Sequence, residues 1–172
     1  MSAQMTYGYS TPIGAPGGIV DLAPHLVDTF INEEQTGSMK YGFGVVYGTK
    51  PTKVKRPASG ATAQTFAGIT VNNRHTEYDL EGNIRIPENR AIGVMRYGRI
   101  YGRVVDGAEI EYGDPVYLIT DGEYAGFFSN DEDDGIAIKA RFLSGMDNST
   151  KVAVIELFNQ AQEAPAATGG EG

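Results

Sequence analysis

The stretch RAIGVMRYGRIYGRVV (90–105) alternates with a period of two, and no other feature of this chain limits its folding so tightly. Val94, Gly98, Ile100, Gly102 and Val104 fall on one side, and Met95, Tyr97, Arg99, Tyr101 and Arg103 on the other. Successive side chains of a strand point to opposite faces, whereas a helix repeats its face every three to four residues. The strand pattern continues to Phe158. VYLITDGEYAGFF (116–128) predicts a hairpin, because Asp121-Gly122 accepts the left-handed conformations of a two-residue turn. Ile136, Ile138, Ala140 and Phe142 face one way, with Ala137, Lys139 and Arg141 facing the other. KVAVIELF (151–158) returns after the polar turn Ser144–Thr150.

Upstream of this block, YGFGVVYG (41–48) and FAGITV (66–71) are short, aromatic and β-branched, as strands are. Several short strands at this spacing predict a mainly β fold, a small β-barrel or β-sandwich over residues 41–158. Two stretches interrupt it. KPTKVKRPASGATAQ (50–64) holds Lys50, Lys53, Lys55 and Arg56 with two prolines and reads as a basic loop. Residues 72–91 form a polar, turn-rich insert with a turn at Glu81-Gly82-Asn83. Residues 1–40 read as an extended N-terminal arm, since YGYSTPIGAPGG (7–18) has Pro12, Pro16 and several glycines that prevent regular structure. Within it, DLAPHLVDTFINEE (21–34) fits a short helix capped by Asp21, with Leu26, Val27, Phe30 and Ile31 on one face. Pro24 and the β-branched residues fit an extended stretch equally and tip the reading slightly that way. Residues 159–172, rich in Ala, Pro and Gly, read as a flexible tail.

Composition then removes whole classes of function. With no cysteine among 172 residues, disulfides, thiolate zinc sites and a cysteine nucleophile are excluded. His25 and His75 are too few for an all-histidine metal site. A net charge of −8 argues against a nucleic-acid surface, whose phosphate affinity comes from accumulated Lys and Arg. The first residues lack the basic-then-apolar pattern of a signal peptide, and no apolar run approaches the roughly 20 residues that span a bilayer. A soluble compartment is expected.

Catalytic motifs fail in turn, and no cofactor or metal is expected. GAPGG (14–18) lacks the length and the following Lys of a phosphate loop, and no Gly-x-Ser-x-Gly elbow occurs. The carboxylates near His25 and His75 are common enough to be there by chance. Glu109 and Glu111 are read as neighbours on one exposed strand face, not as a glycosidase pair. NDEDDG (130–135) mimics the start of a calcium loop, but Arg141 stands where the bidentate Glu belongs, and a solvated acidic turn is the better reading.

Two surfaces remain. The face carrying Met95, Tyr97, Arg99, Tyr101 and Arg103 has the residue types enriched in protein interfaces, and it equally fits a plain solvated strand face. Charge is also segregated: residues 1–65 carry five basic and four acidic side chains, residues 66–129 six and ten, and residues 130–172 three and eight. A basic loop and a Gly/Pro arm on an otherwise acidic chain suit docking onto a large partner.

Taken in order, Gly-Gly-Ile-Val-Asp (17–21), YGFGVVYG, FAGITV, RAIGVMRYGRIYGRVV, GDPVYLITDGEY (113–124), ARFLSG and KVAVIELF resemble the structural cement proteins of tailed bacteriophages. The resemblance covers roughly residues 14–158. It implies a β-barrel or β-tulip-like domain with an extended arm, attached to the outside of an assembled head, made in the bacterial cytoplasm and carried on the virion. It implies the major capsid protein of the same phage as partner, and a homo-oligomer, with a trimer favoured. The expected capsid contacts are Tyr7, Tyr9, Ile13 and Pro16 in the arm, with Lys50, Lys53, Lys55 and Arg56 in the basic loop. Tyr97, Arg99 and Tyr101 are the expected oligomer contacts. A head–tail connector component, the base of a head fibre and a carbohydrate-binding β-module are the rival readings. The connector lacks an expected basic lumen, and the sugar module lacks Trp.

Overall fold

The computed structural model describes residues 14–72, 77–78, 80 and 84–159. In chain order its strands are β1 (Leu26–Asn32), β2 (Gly44–Tyr47), β3 (Lys53–Lys55), β4 (Phe66–Thr70), β5 (Glu77–Tyr78) and β6 (Ile84–Arg85). There follow β7 (Ala91–Arg103), β8 (Pro115–Ile119), β9 (Phe128–Ser129), β10 (Gly135–Phe142) and β11 (Val152–Leu157). Two single-turn 3₁₀ helices, Ala63–Thr65 and Glu132–Asp134, lead into β4 and β10. The fold is mainly β.

Nine strands join in one sheet of order β1-β3-β2-β4-β7-β11-β10-β8-β9, and β1 also pairs with β7. That extra pairing closes β1, β3, β2, β4 and β7 into a five-stranded barrel. β1 and β3 run parallel and the other neighbours antiparallel. The thirteen-residue β7 is the hinge of the architecture. Its first half completes the barrel against β1 and β4, while its second half pairs with β11 from Arg103–Val152 to Gly98–Leu157. Strands β11, β10, β8 and β9 make a second sheet beyond the barrel, which curls back on the end of β7, where Val104 bridges Phe128 and the Val105 N–H donates to the Phe128 carbonyl at 3.0 Å. β5 and β6 pair separately within the polar insert.

Two cores explain the sequence of the shared wall. The barrel is filled by Phe30, Tyr41, Phe43, Val45, Val54, Ala67, Ile92 and Val94. A larger core between barrel and second sheet gathers Val46, Phe66, Ile69, Met95, Ile100, Leu118, Phe128, Phe142, Ile155 and Leu157. β2 and β4 feed both, through Val45 and Val46, and through Ala67 and its neighbours Phe66 and Ile69. Strands buried on both faces read as continuous apolar runs, which is why GVV and FAGIT do not alternate.

Met95 departs from its expected outward position and is fully buried. The reason is a bulge: Leu26 stands opposite Tyr97 but Val27 opposite Met95, leaving Arg96 as an extra residue on β7. One extra residue inverts the side-chain parity of everything beyond it. The larger core therefore takes Met95 before the bulge and Ile100 and Val104 after it. Beyond Arg96, Tyr97, Arg99, Tyr101 and Arg103 keep the odd-numbered face.

Three further expectations are corrected. Residues 50–64 are not simply a loop, because Lys53–Lys55 forms β3 with Val54 fully buried between the two lysines. Asp121-Gly122 does not make a two-residue turn. Strand pairing stops at Leu118–Phe128, the Gly126 N–H donates to the Ile119 carbonyl at 2.9 Å, and of the two turn residues only Gly122 has a positive φ, 73°. Glu109 and Glu111 are both exposed but lie in the connection between β7 and β8, not on a strand. The stretch 21–34 is extended where it is regular, and β1 makes residues 26–32 of the presumed arm a stave of the barrel. β10 follows its expected alternation, with Ile138 and Phe142 buried and Ala137, Lys139 and Arg141 exposed.

Candidate binding surfaces

The segment from Gly14 to Asp21 lies along the edge of β7 that β11 leaves open. The Gly17 N–H donates to the Tyr101 carbonyl at 2.7 Å, the Tyr101 N–H to Gly18 at 3.0 Å, and the Val20 N–H to Arg99 at 3.1 Å. On its other side the Gly17 carbonyl accepts the Asn72 N–H at 2.7 Å. Gly17 is buried with φ 75°, and a Cβ there would stand 2.7 Å from the Thr70 carbonyl oxygen and 2.9 Å from the Gly42 nitrogen. The glycine pair that sequence reading treats as a structure breaker is what lets this strap reach the sheet.

The strap is also tied by charge. Arg99 donates to Asp21 at 2.9 Å and to Glu156 at 3.1 Å, and Glu156 takes a second donor, Arg141, at 2.7 Å. Asp21 is held below the usual carboxylate range, first by the Ala23 N–H and then by Arg99, while Asp21 and Glu156 raise Arg99. Burial, the largest influence on Glu156, pushes its carboxyl up, but the two arginines together bring it below its ordinary value. Of the expected oligomer contacts, then, Arg99 is engaged by the chain itself. Tyr101 packs its ring against the strap, lying where a Cβ on Gly14 would fall, and Tyr97 is left 43% exposed.

The basic residues separate in the same way. Lys50 is exposed in the turn before β3, and Lys53 and Lys55 flank Val54 as half-buried positions. Glu33 stands close to them. Its carboxyl is lowered chiefly by the Thr49 N–H, with Lys53 and Lys55 as weaker influences. Arg56 is turned inward. Its guanidinium donates to the Ala125 carbonyl at 2.8 and 3.1 Å and to Glu123 at 3.2 Å, and it lies over the Phe43 ring at 5.3 Å. Arg103 approaches the same ring at 5.9 Å and donates to the Tyr41 carbonyl at 2.9 Å, and burial lowers its pKa. Pro16 is half-buried in the strap, its Cβ close to Gly42. Tyr7, Tyr9 and Ile13 lie outside the described residues.

At 130–135 Asp131 caps the short 3₁₀ turn by accepting the Asp133 N–H at 3.0 Å, and the Ser129 hydroxyl donates to Asp134 at 2.6 Å. Among the described residues no group of three His, Asp or Glu side chains is placed to hold a metal ion. Among them, too, no helix is long and apolar enough to cross a membrane.

Arg56 and Arg99 thus serve the chain's own loop and strap. The family model described as structural cement protein of phages matches residues 3–158. The chain belongs to the phage structural cement protein family. Its role is therefore structural and capsid-associated, its partners include phage capsid proteins, and its place is the virion. Among solved structures, a chain of "The capsid of Myoviridae Phage XM1" is similar at 21% identity with a TM-score of 0.70. The match covers 94% of this chain and 100% of that one, and at this identity it speaks for the fold. No curated protein sequence matches.

What sequence reading missed is the apolar strip beside the strap. Leu22 is 99% exposed, and Ile19, Leu26 and Val27 are exposed beside it. Exposed apolar residues clustered on one run of chain were visible in IVDLAPHLV. The sequence reading gives Leu26 and Val27 only one face of a possible short helix and gives Leu22 no role, because sequence cannot tell an outward leucine from an inward one.

Proposed function

We propose that this family member binds the outer surface of the assembled phage head and stabilises contacts between capsomers, as a homo-oligomer with a trimer favoured. The observation that carries the reading is the family match over residues 3–158, supported by the similarity of fold to a chain from a phage capsid. A component that binds only the closed shell stabilises it by mass action, and many weak contacts add up because each copy contributes its own term. Residues 1–13 with Tyr7, Tyr9 and Ile13, and the lysines Lys50, Lys53 and Lys55, are the proposed contacts with the major capsid protein. Tyr97 remains the proposed oligomer contact.

The test compares heads with and without the protein during heating. Complete heads are expected to retain DNA to a higher temperature, and added protein is expected to restore that temperature to stripped heads. Release at the same temperature from both, with no binding on add-back, refutes the reading.

A further inference from the structure

The strap and β1 are consecutive in the chain and lie on opposite edges of β7. The Gly17 carbonyl accepts the N–H of Asn72, just beyond β4, so the strap continues the edge that β4 occupies. β1 and β4 both pair at Val94 and Met95, which puts β1 on the other edge. Between Asp21 and Leu26 the chain therefore crosses β7, and it does so over Gly98. Gly98 has φ 120°, and a Cβ there would stand 2.6 Å from the His25 Cβ. The crossing is tight, and glycine is what permits it. Residues 22–24 form its bend, with Leu22, Pro24 and His25 exposed, and the bonds at Ala23 run to Asp21 and His25 within the linker itself. Ala23 precedes a proline, a position that prefers extended backbone, so the linker's own tendency is to straighten.

The hold on the strap itself comes from residues far along the chain. Gly17, Gly18 and Val20 bond the backbone of Tyr101 and Arg99, Ile19 bridges Ile100, and Asp21 pairs with Arg99 at 2.9 Å. A second copy offers the same edge of β7 and the same arginine. A strap seated there keeps each of these contacts and relieves the crossing at Gly98. Exchanging an identical element is a low-cost way to join protomers, and copies held side by side meet at high effective concentration. The contact also brings its own ion pair, Asp21 with Arg99, to two bodies that each carry −8. We propose that the strap is exchanged in the assembled protein, residues 14–21 of one copy seating on β7 of a second copy along Arg99 to Tyr101. The proposal rests on the homo-oligomer reading above and names its contact. Arg99 and Tyr101 then act as oligomer contacts through a neighbour's strap.

Cross-linking separates a strap seated on its own chain from one seated on a neighbour. The chain has no cysteine, so Ile19→Cys with Ile100→Cys introduces one facing pair. Light and isotopically heavy chains of this variant are mixed, assembled on heads stripped of the protein, and oxidised. Disulfide-linked peptides joining positions 19 and 100 are expected to include light–heavy pairs. Ile100 is fully buried, so a second variant spares the core: Arg99→Lys keeps the charge, and a carbodiimide then joins its amine to the Asp21 carboxyl. The same light–heavy linkage is expected there. Linked peptides of one isotope only, from chains that do assemble, overturn the exchange and leave the homo-oligomer reading standing. Chains that stay monomeric in solution and on heads refute that reading, and the exchange with it.

Discussion

The guanidinium of Arg56 lies 5.3 Å from the centre of the Phe43 ring, joining the end of β3 to the barrel core and to the loop between β8 and β9. Sequence alone placed Arg56 with three lysines as one basic docking loop. The structure divides that group into exposed charge and internal support.

The division has a measurable consequence. Arg56→Ala removes the ring contact and leaves the Ala125 and Glu123 carbonyls without their donor, at an expected cost of about 1–3 kcal/mol. Thermal denaturation is expected to show a lowered Tm for this variant. Lys50→Glu, at an exposed turn position, is expected to keep its Tm and to weaken attachment to heads at low salt, an effect that fades as salt screens the charges. Equal melting of all three proteins would contradict the assignment of Arg56.

Gly17→Ala places a methyl group 2.7 Å from the Thr70 carbonyl oxygen at a φ of 75°, so the strap cannot keep its seat. The expected loss is about 1–3 kcal/mol. Hydrogen exchange gives the local readout, since the Tyr101 amide donates to Gly18 and is expected to lose protection. Protection unchanged at Tyr101 would count against the strap.

Met95→Ala opens a cavity in the larger core and is expected to cost about 2–5 kcal/mol, whereas Tyr97→Ala, at an exposed position, costs far less. Urea unfolding of the two variants reads this directly. Similar costs at the two positions would contradict the parity change at Arg96, since without it Met95 and Tyr97 share a face.

The strap is expected to be sensitive to acid. Asp21 and Glu156 both have carboxyls held below their ordinary values in the folded chain. A lowered folded-state pKa contributes stability that is present above the unfolded value and is lost as pH falls through the folded one. Strap attachment is therefore expected to hold through neutral pH and to weaken below the ordinary carboxylate range. Exchange protection at Val20 and Tyr101 followed down in pH is the measurement. Asp21→Asn is expected to flatten its dependence, and an unchanged profile in that variant would show that Asp21 is not responsible.

The elements legible in the sequence were those where local pattern and burial agree. Ile138 and Phe142 alternate with exposed neighbours because β10 has one wet face, and its register shift against β8 between Ala137 and Arg141 spans four residues against two, which preserves side-chain parity. YGFGVVYG and FAGITV were legible as strands through their β-branched and aromatic residues, though their burial on both faces was not. β3 was hidden because KVK is short and charged, and only Val54 between two lysines carried a signal. The strap was hidden because its order comes from backbone hydrogen bonds to Arg99 and Tyr101, which glycine and proline neither announce nor forbid.

The chain's residues by themselves determined a mainly β fold, the strands of the second sheet, the absence of cysteine chemistry and the resemblance to cement proteins, since each depends on composition or on local order along the chain. Tertiary structure decided which faces those strands bury and which charges remain available to a partner. Barrel closure needs β1 against β7, residues 26–32 against residues 91–97, and the extra residue at Arg96 reverses sides in a way no period-two reading contains. Arg56 and Arg99 are basic in any reading, yet one supports a loop and the other fastens the strap, because their partners Ala125 and Asp21 are distant in sequence and adjacent only once the sheet has curled.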